Sequence, residues 1–449
     1  MTVASTSGVK SRNLELIPFP KIPPEIAKVV EESATRITTA RQRAAIANSI
    51  AVERSLDEFV REDLDAAKKS AQLRDIAHHI ESEEGWRTLV SWTRLRASLL
   101  WPLSPLLYFH GVEEVSVMGC ERIAVSANGS EYWYEPPPGW DSDAIVRAFF
   151  EQTMAVDGVR GRQGINTSSP AVEFSFDRFR FAVAIDPVLT GRHTIAASVR
   201  VPNWRFSDLD SLVGAGMLSA GAARFVQTVV EQRGNILISG GTKSGKTTVL
   251  RTLARHFEDD AHIFVIEDTP ELYLEDAWED WQPFVIATGT VPNPQSEDPL
   301  VSMKFLARFA LRMAPTRIIV GETRGSESDD MVRALSSGHD GGLATIHADD
   351  PGGAITTMAD FLMETGKYSV ESAERRVRRA IDLVIQVYND PHTGKKMVTE
   401  IVAINRNNED IPVYTRREGA LRLETKITDN LPRRLASRLI NVLGGHLPE

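Results

Sequence analysis

The stretch GGTKSGKT, Gly240 to Thr247, limits what the chain can fold into more than any other. It matches the pattern G-x-x-x-x-G-K-[ST]. The apolar run NILIS precedes it and the helix-forming TVLRTLARHF follows it. A glycine-rich turn between a strand and a helix lets backbone N–H groups curl around an anion, and the helix N-terminus adds the positive end of its dipole. Gly240, Gly241, Thr242, Lys243, Ser244, Gly245, Lys246, Thr247 and Thr248 are therefore candidate nucleotide-binding residues. Lys246 offers a point charge to β- and γ-phosphates, and the Thr247 hydroxyl offers a ligand to Mg²⁺. A chance glycine-rich turn would lack the strand–loop–helix frame. No guanine-specifying N-K-x-D follows, so ATP is the expected nucleotide.

From Ala220 onward helical segments alternate with short apolar runs: NILISG, HIFVIED, TRIIVGE, GLATIH and LVIQVY. That alternation predicts an α/β fold with a mostly parallel, buried sheet covered by helices. Upstream the texture differs. Residues 25–105 hold apolar positions at helical spacing and one glycine, Gly85, which predicts two or three amphipathic helices. His78 and His79 are adjacent and are expected to point to different faces, which argues against a metal site. Residues 106–206 alternate like strands, with Asn128-Gly129 as a hairpin turn and one helix, DAIVRAFFEQTMA, and so predict a small α+β domain. Residues 1–24 read as a flexible leader, 207–219 as a linker, and 220–449 as the domain of the phosphate loop, ending in a strand hairpin and a helix.

Composition excludes some functions. Net charge is −10, against a general nucleic-acid binder, which needs a basic face. The single cysteine, Cys120, forms no intrachain disulfide and no cysteine-based zinc site. The N-terminus lacks the apolar core of a signal peptide. The longest strongly apolar stretch, LLWPLSPLLYF, is too short to span a bilayer and holds two prolines. A cytoplasmic location follows, with any membrane association coming through a partner.

Two acidic strand ends follow the loop: FVIEDTPEL, with Glu267, Asp268 and Glu271, and RIIVGETRG, with Glu322 before Arg324. In α/β sheets ligands bind at the carboxyl ends of strands, where acids can hold Mg²⁺ or orient water. The ordinary Walker B strand ends in aspartate; here Gly321 and Glu322 stand there. Function is the reading for Glu271 and Glu322, while Asp268 and Glu275 equally fit a helix cap or surface charge. A third strand end, GGLATIHADDP, carries His347. A histidine there can simply cap a carbonyl, or it can sense a phosphate, since its pKa lies near neutrality. Gly341 and Gly342 permit close backbone approach or positive φ before that strand.

Taken together, the second half resembles the secretion ATPase superfamily of type II and type IV secretion, type IV pili and conjugation. LRMAPTRIIVGETRGSESDDMVRALSSGHDGGLATIHADDP most resembles the tight-adherence pilus and conjugation branch. The resemblance runs strongly over 234–399 and loosely over 112–202. It implies a RecA-like P-loop core with four signatures in order: the Walker A loop, an Asp box (Glu267 to Glu271), a Walker B ending Gly-Glu, and a His box holding His339 and His347. It implies Glu271 as general base or water-positioning acid, Glu322 as the Walker B glutamate near Mg²⁺, and His347 as a γ-phosphate sensor. Lys243 replaces a glycine common in relatives. Ala314-Pro315-Thr316-Arg317 replaces a usual Arg-Pro-Asp-Arg, which removes an arginine and an aspartate from a local ion pair.

The resemblance also implies a hexameric ring docked on an inner-membrane platform protein of a pilus or secretion apparatus. Strand arginines of the N-terminal domain then approach the nucleotide. Arg180 and Arg200 match those places; Arg192 is a third candidate that fits an ordinary surface ion pair better. Two rival readings stay open: a DNA-directed conjugation or packaging translocase, and a non-catalytic nucleotide-gated scaffold.

Overall fold

A computed structural model of the protein describes residues 17–46, 56–69, 72–108, 111–127, 130–156, 160–161, 164–202, 208–274, 283–291, 299–336, 338–407, 409–425, 431–443 and 446–448, with single positions 281, 293 and 296. The turn at Asn128-Gly129 and the acid Glu275 lie outside them. The chain divides into two compact units, Met1–Val201 and Pro202–Glu449.

The first unit opens with helices α1 (Pro24–Ile46), α2 (Leu56–Lys69), α3 (Ala77–Ile80) and α4 (Glu83–Ala97). In α1 the buried Ile26, Val30, Ala34 and Ile37 recur every three or four residues and so share one face. Val60 and Leu64 of α2 and Leu89 of α4 close over them. Arg36 grips Asp63 with two parallel hydrogen bonds of 2.7 and 2.8 Å, tying α1 to α2. The His78 and His79 rings do not diverge as expected. Their centroids lie 3.8 Å apart on the single-turn α3, where both side chains are exposed and no packing separates them. Among the described residues no cluster of metal-ligating side chains forms there or elsewhere.

Helix α5 (Ser104–Leu107) leads into strands β1 (Val112–Met118), β2 (Arg122–Ala127) and β3 (Ser130–Tyr134). Helix α6 (Asp143–Met154) and strands β4 (Arg160–Gly161), β5 (Ala171–Phe176), β6 (Phe179–Ile185) and β7 (Ile195–Arg200) follow. Among the described residues they form a seven-stranded antiparallel sheet in the order β3-β2-β1-β7-β6-β5-β4. Alternation builds it: Phe179, Phe181, Val183 and Ile185 of β6 face the core that Val146 and Phe150 of α6 cover. Residues 17–19 of the expected leader join this unit. Ile17 pairs with Tyr134, and Phe19 is buried against the sheet.

The second unit begins where a linker is expected. Residues 209–218 instead contribute Leu209, Leu212, Met217 and Leu218 to the core, on and after α7 (Leu209–Gly214). Asp208 and Ser211 cap that helix reciprocally. Next come α8 (Ala220–Glu231), β8 (Ile236–Gly240), α9 (Lys246–Ala254), β9 (His262–Glu267) and β10 (Phe284–Gly289). Then come α10 (Met303–Ala310), β11 (Arg317–Thr323), α11 (Glu327–Ser336), β12 (Leu343–Ile346), α12 (Pro351–Met363) and α13 (Val370–Ala380). The chain closes with β13 (Leu383–Asn389), β14 (Lys396–Ala403), β15 (Ile411–Arg417), β16 (Ala420–Leu423) and α14 (Arg433–Leu443).

The described strands form one sheet in the order β10-β9-β11-β12-β8-β13-β14-β15-β16. Pairing is parallel from β10 to β13 and antiparallel from β13 to β16. The α/β expectation therefore holds, but the sheet is mixed. Helices lie in the connections β8–β9, β10–β11, β11–β12 and β12–β13 and return those strands to the same end, whereas the β13–β16 hairpins reverse direction at every turn. Helices cover both faces. Ile236 and Ile238 of β8 meet α8 and α9 residues on one side, while Leu237 meets α11 and α12 residues on the other. Among the described residues no helix is long and apolar enough to cross a membrane.

Two polar fastenings hold this unit where apolar packing cannot. Arg317, fully buried at the start of β11, donates to both oxygens of Glu258 at 2.9 Å and to the carbonyls of Gly341 and Val230. A Cβ at Gly341, whose φ is +90°, would lie 1.9 Å from that guanidinium. The altered segment thus keeps an ion pair through its last residue, and the Thr316 hydroxyl binds the His262 amide of β9 at 2.9 Å. The second fastening is C-terminal. Arg434 and Arg438 of α14 each reach Asp340 at 2.7 Å, just before β12.

Replacing Arg317 by methionine leaves Glu258 with the part-exposed Arg233 and takes the guanidinium from the buried Gly341 carbonyl. We expect Arg317→Met to lower the unfolding free energy by about 2 kcal/mol in urea titration, the scale of losing hydrogen bonds from a charged group. A loss below about 1 kcal/mol would mean that water satisfies those groups.

Candidate functional site

Strand order assembles the site. Strands β9, β11, β12 and β8 are parallel neighbours, so their C-terminal ends lie side by side. Those ends carry Glu267, Glu322, His347 and the phosphate loop in that order. Because β12 lies between β11 and β8, His347 is bound to fall between Glu322 and Lys246.

The loop leaves the fully buried β8 and turns at Gly245, whose φ of +101° starts α9. Lys243 also takes a left-handed backbone, at φ +56°. Gly241, Thr242 and Lys243 are exposed, Thr247 and Thr248 half-buried, and Ser244 buried with a hydroxyl that has no hydrogen-bond partner. Lys246 is nearly buried. Its Nζ donates to the carbonyls of Gly240 and Gly241 at 2.8 Å and lies 3.3 Å from Nδ1 of His347.

Glu322 reaches this row through a bulge. Val320 pairs with Ala344 and Thr323 with Ile346, so Gly321 and Glu322 together oppose Thr345 alone. Two hydroxyls pin the bulge: Thr345 Oγ1 donates to the Gly321 carbonyl at 2.5 Å, and Thr323 Oγ1 to the Thr345 carbonyl at 2.8 Å. The side chain then sits between an imidazole and a guanidinium. Nε2 of His347 lies 2.5 Å from Oε1, near enough for a charge contact but not aligned as a hydrogen bond, so this buried oxygen has no aligned donor. Arg324 donates to Oε2.

Arg324, which the sequence marks only as standing two residues after Glu322, is the electrostatic hub. Its other nitrogen lies 3.4 Å from Asp268. Burial alone would lower this guanidinium. The hydrogen bond to Glu322 and the charges of Glu322, Asp268 and Glu271 outweigh it and hold the guanidinium above its ordinary value. Burial would likewise raise Glu322. The Arg324 hydrogen bond, with the charges of Arg324, His347 and Lys246, holds it below the usual carboxylate range. For His347 burial dominates. Together with the Lys246 charge it outweighs the pull of Glu322 and keeps the imidazole below 6.5. The ring is therefore neutral at pH 7, with Nδ1 able to accept from Lys246 and Nε2–H turned toward Glu322.

Glu271 is half-buried on the segment after β9. The next carbonyl, Leu272, accepts from Arg251 of α9 at 3.0 Å, which fastens the segment to the helix behind the loop. Burial pushes Arg251 down to about 10, still charged. Asp268 takes the Thr290 hydroxyl on both its carbonyl and its carboxylate.

Other expected residues lie elsewhere. His339 precedes β12 and His347 follows it, and a four-residue strand spans roughly 13 Å. His339 therefore does not join this chain's own loop. It sits beside Asp340, which the C-terminal arginines hold. Arg180 and Arg200 belong to the first unit, as partners across β6 and β7. Arg180 pairs with Glu173 at 2.7 Å, and Arg200 is exposed. Arg192 pairs with Glu121, the ordinary surface contact.

Residues 170–433 match the family described as Type II/IV secretion system protein, and the chain belongs to it. It is 32% identical over 237 residues to a putative conjugal transfer protein of Mycobacterium tuberculosis, covering 52% of this chain and 65% of that relative. It is 24% identical over 301 residues to the type IV secretion system protein VirB11 of Brucella suis, covering 61% and 82%. Among solved structures, the Brucella suis VirB11 ATPase in complex with sulphate aligns at 23% identity and TM-score 0.36, covering 68% of this chain and 96% of that one. The Legionella pneumophila ATPase DotB aligns at 16% and 0.46, covering 74% and 84%.

Two tests follow from the geometry. Histidine-selective NMR should show His347 titrating below 6.5, and lower still in Glu322→Gln, which removes the opposing charge. Since the folded value lies below the unfolded one, the stability this ring contributes is present above about 6.5 and is lost as pH falls through the folded value. A His347 value above 6.5 would contradict the burial that sets it. Lys243→Gly relieves a left-handed backbone and should raise the unfolding free energy by about 1 kcal/mol, measured by urea titration.

Proposed function

We propose that this chain is the ATP-hydrolysing motor of a pilus-assembly or protein-secretion system. One observation carries the reading: the phosphate-loop lysine, a neutral imidazole and the Walker B glutamate stand in an unbroken row at the C-terminal strand ends. Two oxygens in that row, Ser244 Oγ and Glu322 Oε1, are buried without an aligned hydrogen-bond partner. A triphosphate and a hydrated cation supply the groups such oxygens need. Family membership and relatives named for conjugal transfer and type IV secretion support the same reading.

Each residue has a task. Lys246 exchanges the Gly240 and Gly241 carbonyls for phosphate oxygens. Thr247 and Glu322 would hold Mg²⁺, which neutralises charge on the phosphates when bound. Magnesium usually keeps several waters and takes few protein ligands, so a site without a carboxylate cage fits it. Glu271 positions or deprotonates the attacking water. His347, neutral and in contact with both Lys246 and Glu322, registers loss of the γ-phosphate.

The parallel run β10-β9-β11-β12-β8-β13, with the loop after β8, supports a RecA-like core. We place the chain in a hexameric ring, in the tight-adherence and conjugation branch, at the cytoplasmic face of the inner membrane on a platform protein. Arg180 and Arg200 are the arginines that reach a phosphate from a neighbouring subunit, Arg180 giving up Glu173 to do so. Turnover then moves the α+β domain at 106–206 against the core.

The test is Mg²⁺-dependent ATP hydrolysis across a range of protein concentrations. The rate should rise faster than linearly, as trans contacts assemble the site. It should fall about 100-fold in Glu271→Gln, the loss typical of removing a general base. Tight ATP binding with equal, near-zero rates in both proteins would favour the nucleotide-gated scaffold. Salt-dependent DNA binding would favour the translocase.

A further inference from the structure

Glu267 ends β9 with only 4% of its surface exposed. A carboxylate buried that deeply must have partners. Its Oε1 accepts from the backbone amides of Glu271 at 2.9 Å and Leu272 at 3.1 Å. The side chain therefore folds the following segment back onto the strand end and fixes the backbone from which Glu271 projects.

Its other flank meets β11. Strands β9 and β11 pair up to Ile266 and Val320, so Glu267 and Gly321 are the next residues on each. A Cβ built on Gly321 would lie 2.8 Å from Cγ of Glu267 and 3.2 Å from its Oε1. Real Cβ atoms do not approach a neighbour so closely. This accounts for glycine where a Walker B strand ordinarily ends in aspartate: the volume of that side chain is filled from the next strand by Glu267. The same glycine belongs to the bulge that aims Glu322.

We propose that Glu267 is a positioning residue for hydrolysis. It holds Glu271 through two amide hydrogen bonds, packs on Gly321 beside Glu322, and so fixes the spacing of the two working acids without touching nucleotide. The proposal rests on the ATPase reading above. It needs an acceptor oxygen at Glu267, not a negative charge, and it needs the space at Gly321.

Three variants of the full-length protein test it: Glu267→Ala, Glu267→Gln and Gly321→Ala. Glu267→Ala should lower kcat about 100-fold, the cost of a displacement near 1 Å, with ATP KM little changed. Glu267→Gln keeps a carbonyl acceptor and should recover most of that loss. Gly321→Ala should reproduce the alanine defect by displacing the Glu267 side chain, and the double variant Glu267→Ala/Gly321→Ala should be no worse than either single one. Amide exchange gives an activity-independent readout. Exchange at residues 271 and 272 should rise about tenfold in Glu267→Ala and not in Glu267→Gln.

A folded Glu267→Ala enzyme with wild-type kcat overturns the proposal. So does Glu267→Gln as slow as Glu267→Ala, which would assign the role to charge. If Glu267→Ala does not fold, Glu267→Gln and Gly321→Ala decide the question by the same two readouts. If the wild type does not hydrolyse ATP, the ATPase reading falls, and exchange at 271 and 272 still decides whether Glu267 holds the segment.

Discussion

The second unit depends on the placement of β12 between β8 and β11. All three strands are parallel and buried, so their ends are committed to one edge before any side chain is chosen. A histidine after β12 must then stand between the residue after β11 and the loop after β8. The contacts of His347 with Lys246 and Glu322 follow from topology. The side-chain bonds of Ser239 and Gln386 to the Ala348 carbonyl set the exit of the strand. One misregistered pairing would move three functional groups at once.

Charge in this edge is arranged in alternation. Reading across it, ammonium, imidazole, carboxylate, guanidinium and a second carboxylate follow one another from Lys246 to Asp268. Each ionised group is flanked by an opposite or neutral one, which allows five polar side chains to share a partly desolvated place. The neutral imidazole is the pivot. Were it charged, Lys246 would face a like charge 3.3 Å away.

Much of this was legible in the sequence. The phosphate loop is legible from its motif in a strand–loop–helix frame and the acidic strand ends from their place after apolar runs, while His347 takes a functional reading only through the family resemblance. The edge strand β10 was not legible, because its apolar residues are only half-buried or exposed, as an edge allows. Residues 209–218 read as a linker because they are short, polar at the start and rich in glycine, yet their leucines are buried. Arg317, Arg324, Arg434 and Arg438 gave no local signal. Apart from the contact of Arg324 with Glu322, their partners lie on other elements, far away along the chain, and pairing across such distances leaves no periodicity to read. Glu267 belongs to a legible motif, but its hydrogen bonds to the following amides and its packing on Gly321 depend on the fold of neighbouring strands and leave no mark in the sequence.

The grip of Arg434 and Arg438 on Asp340 has a temporal side. A ribosome delivers the loop, both acids and His347 well before it delivers α14. Until those arginines emerge, the segment leading into β12 rests on Arg317 and Asn235, which hold Gly341 and Gly342, and Asp340 has yet to be gripped. Domains built N-terminus first can expose half-made sites during synthesis. In this chain two of the residues that secure the approach to the middle strand are made well after that strand, so the nucleotide edge gains its last fastening only once α14 has been added.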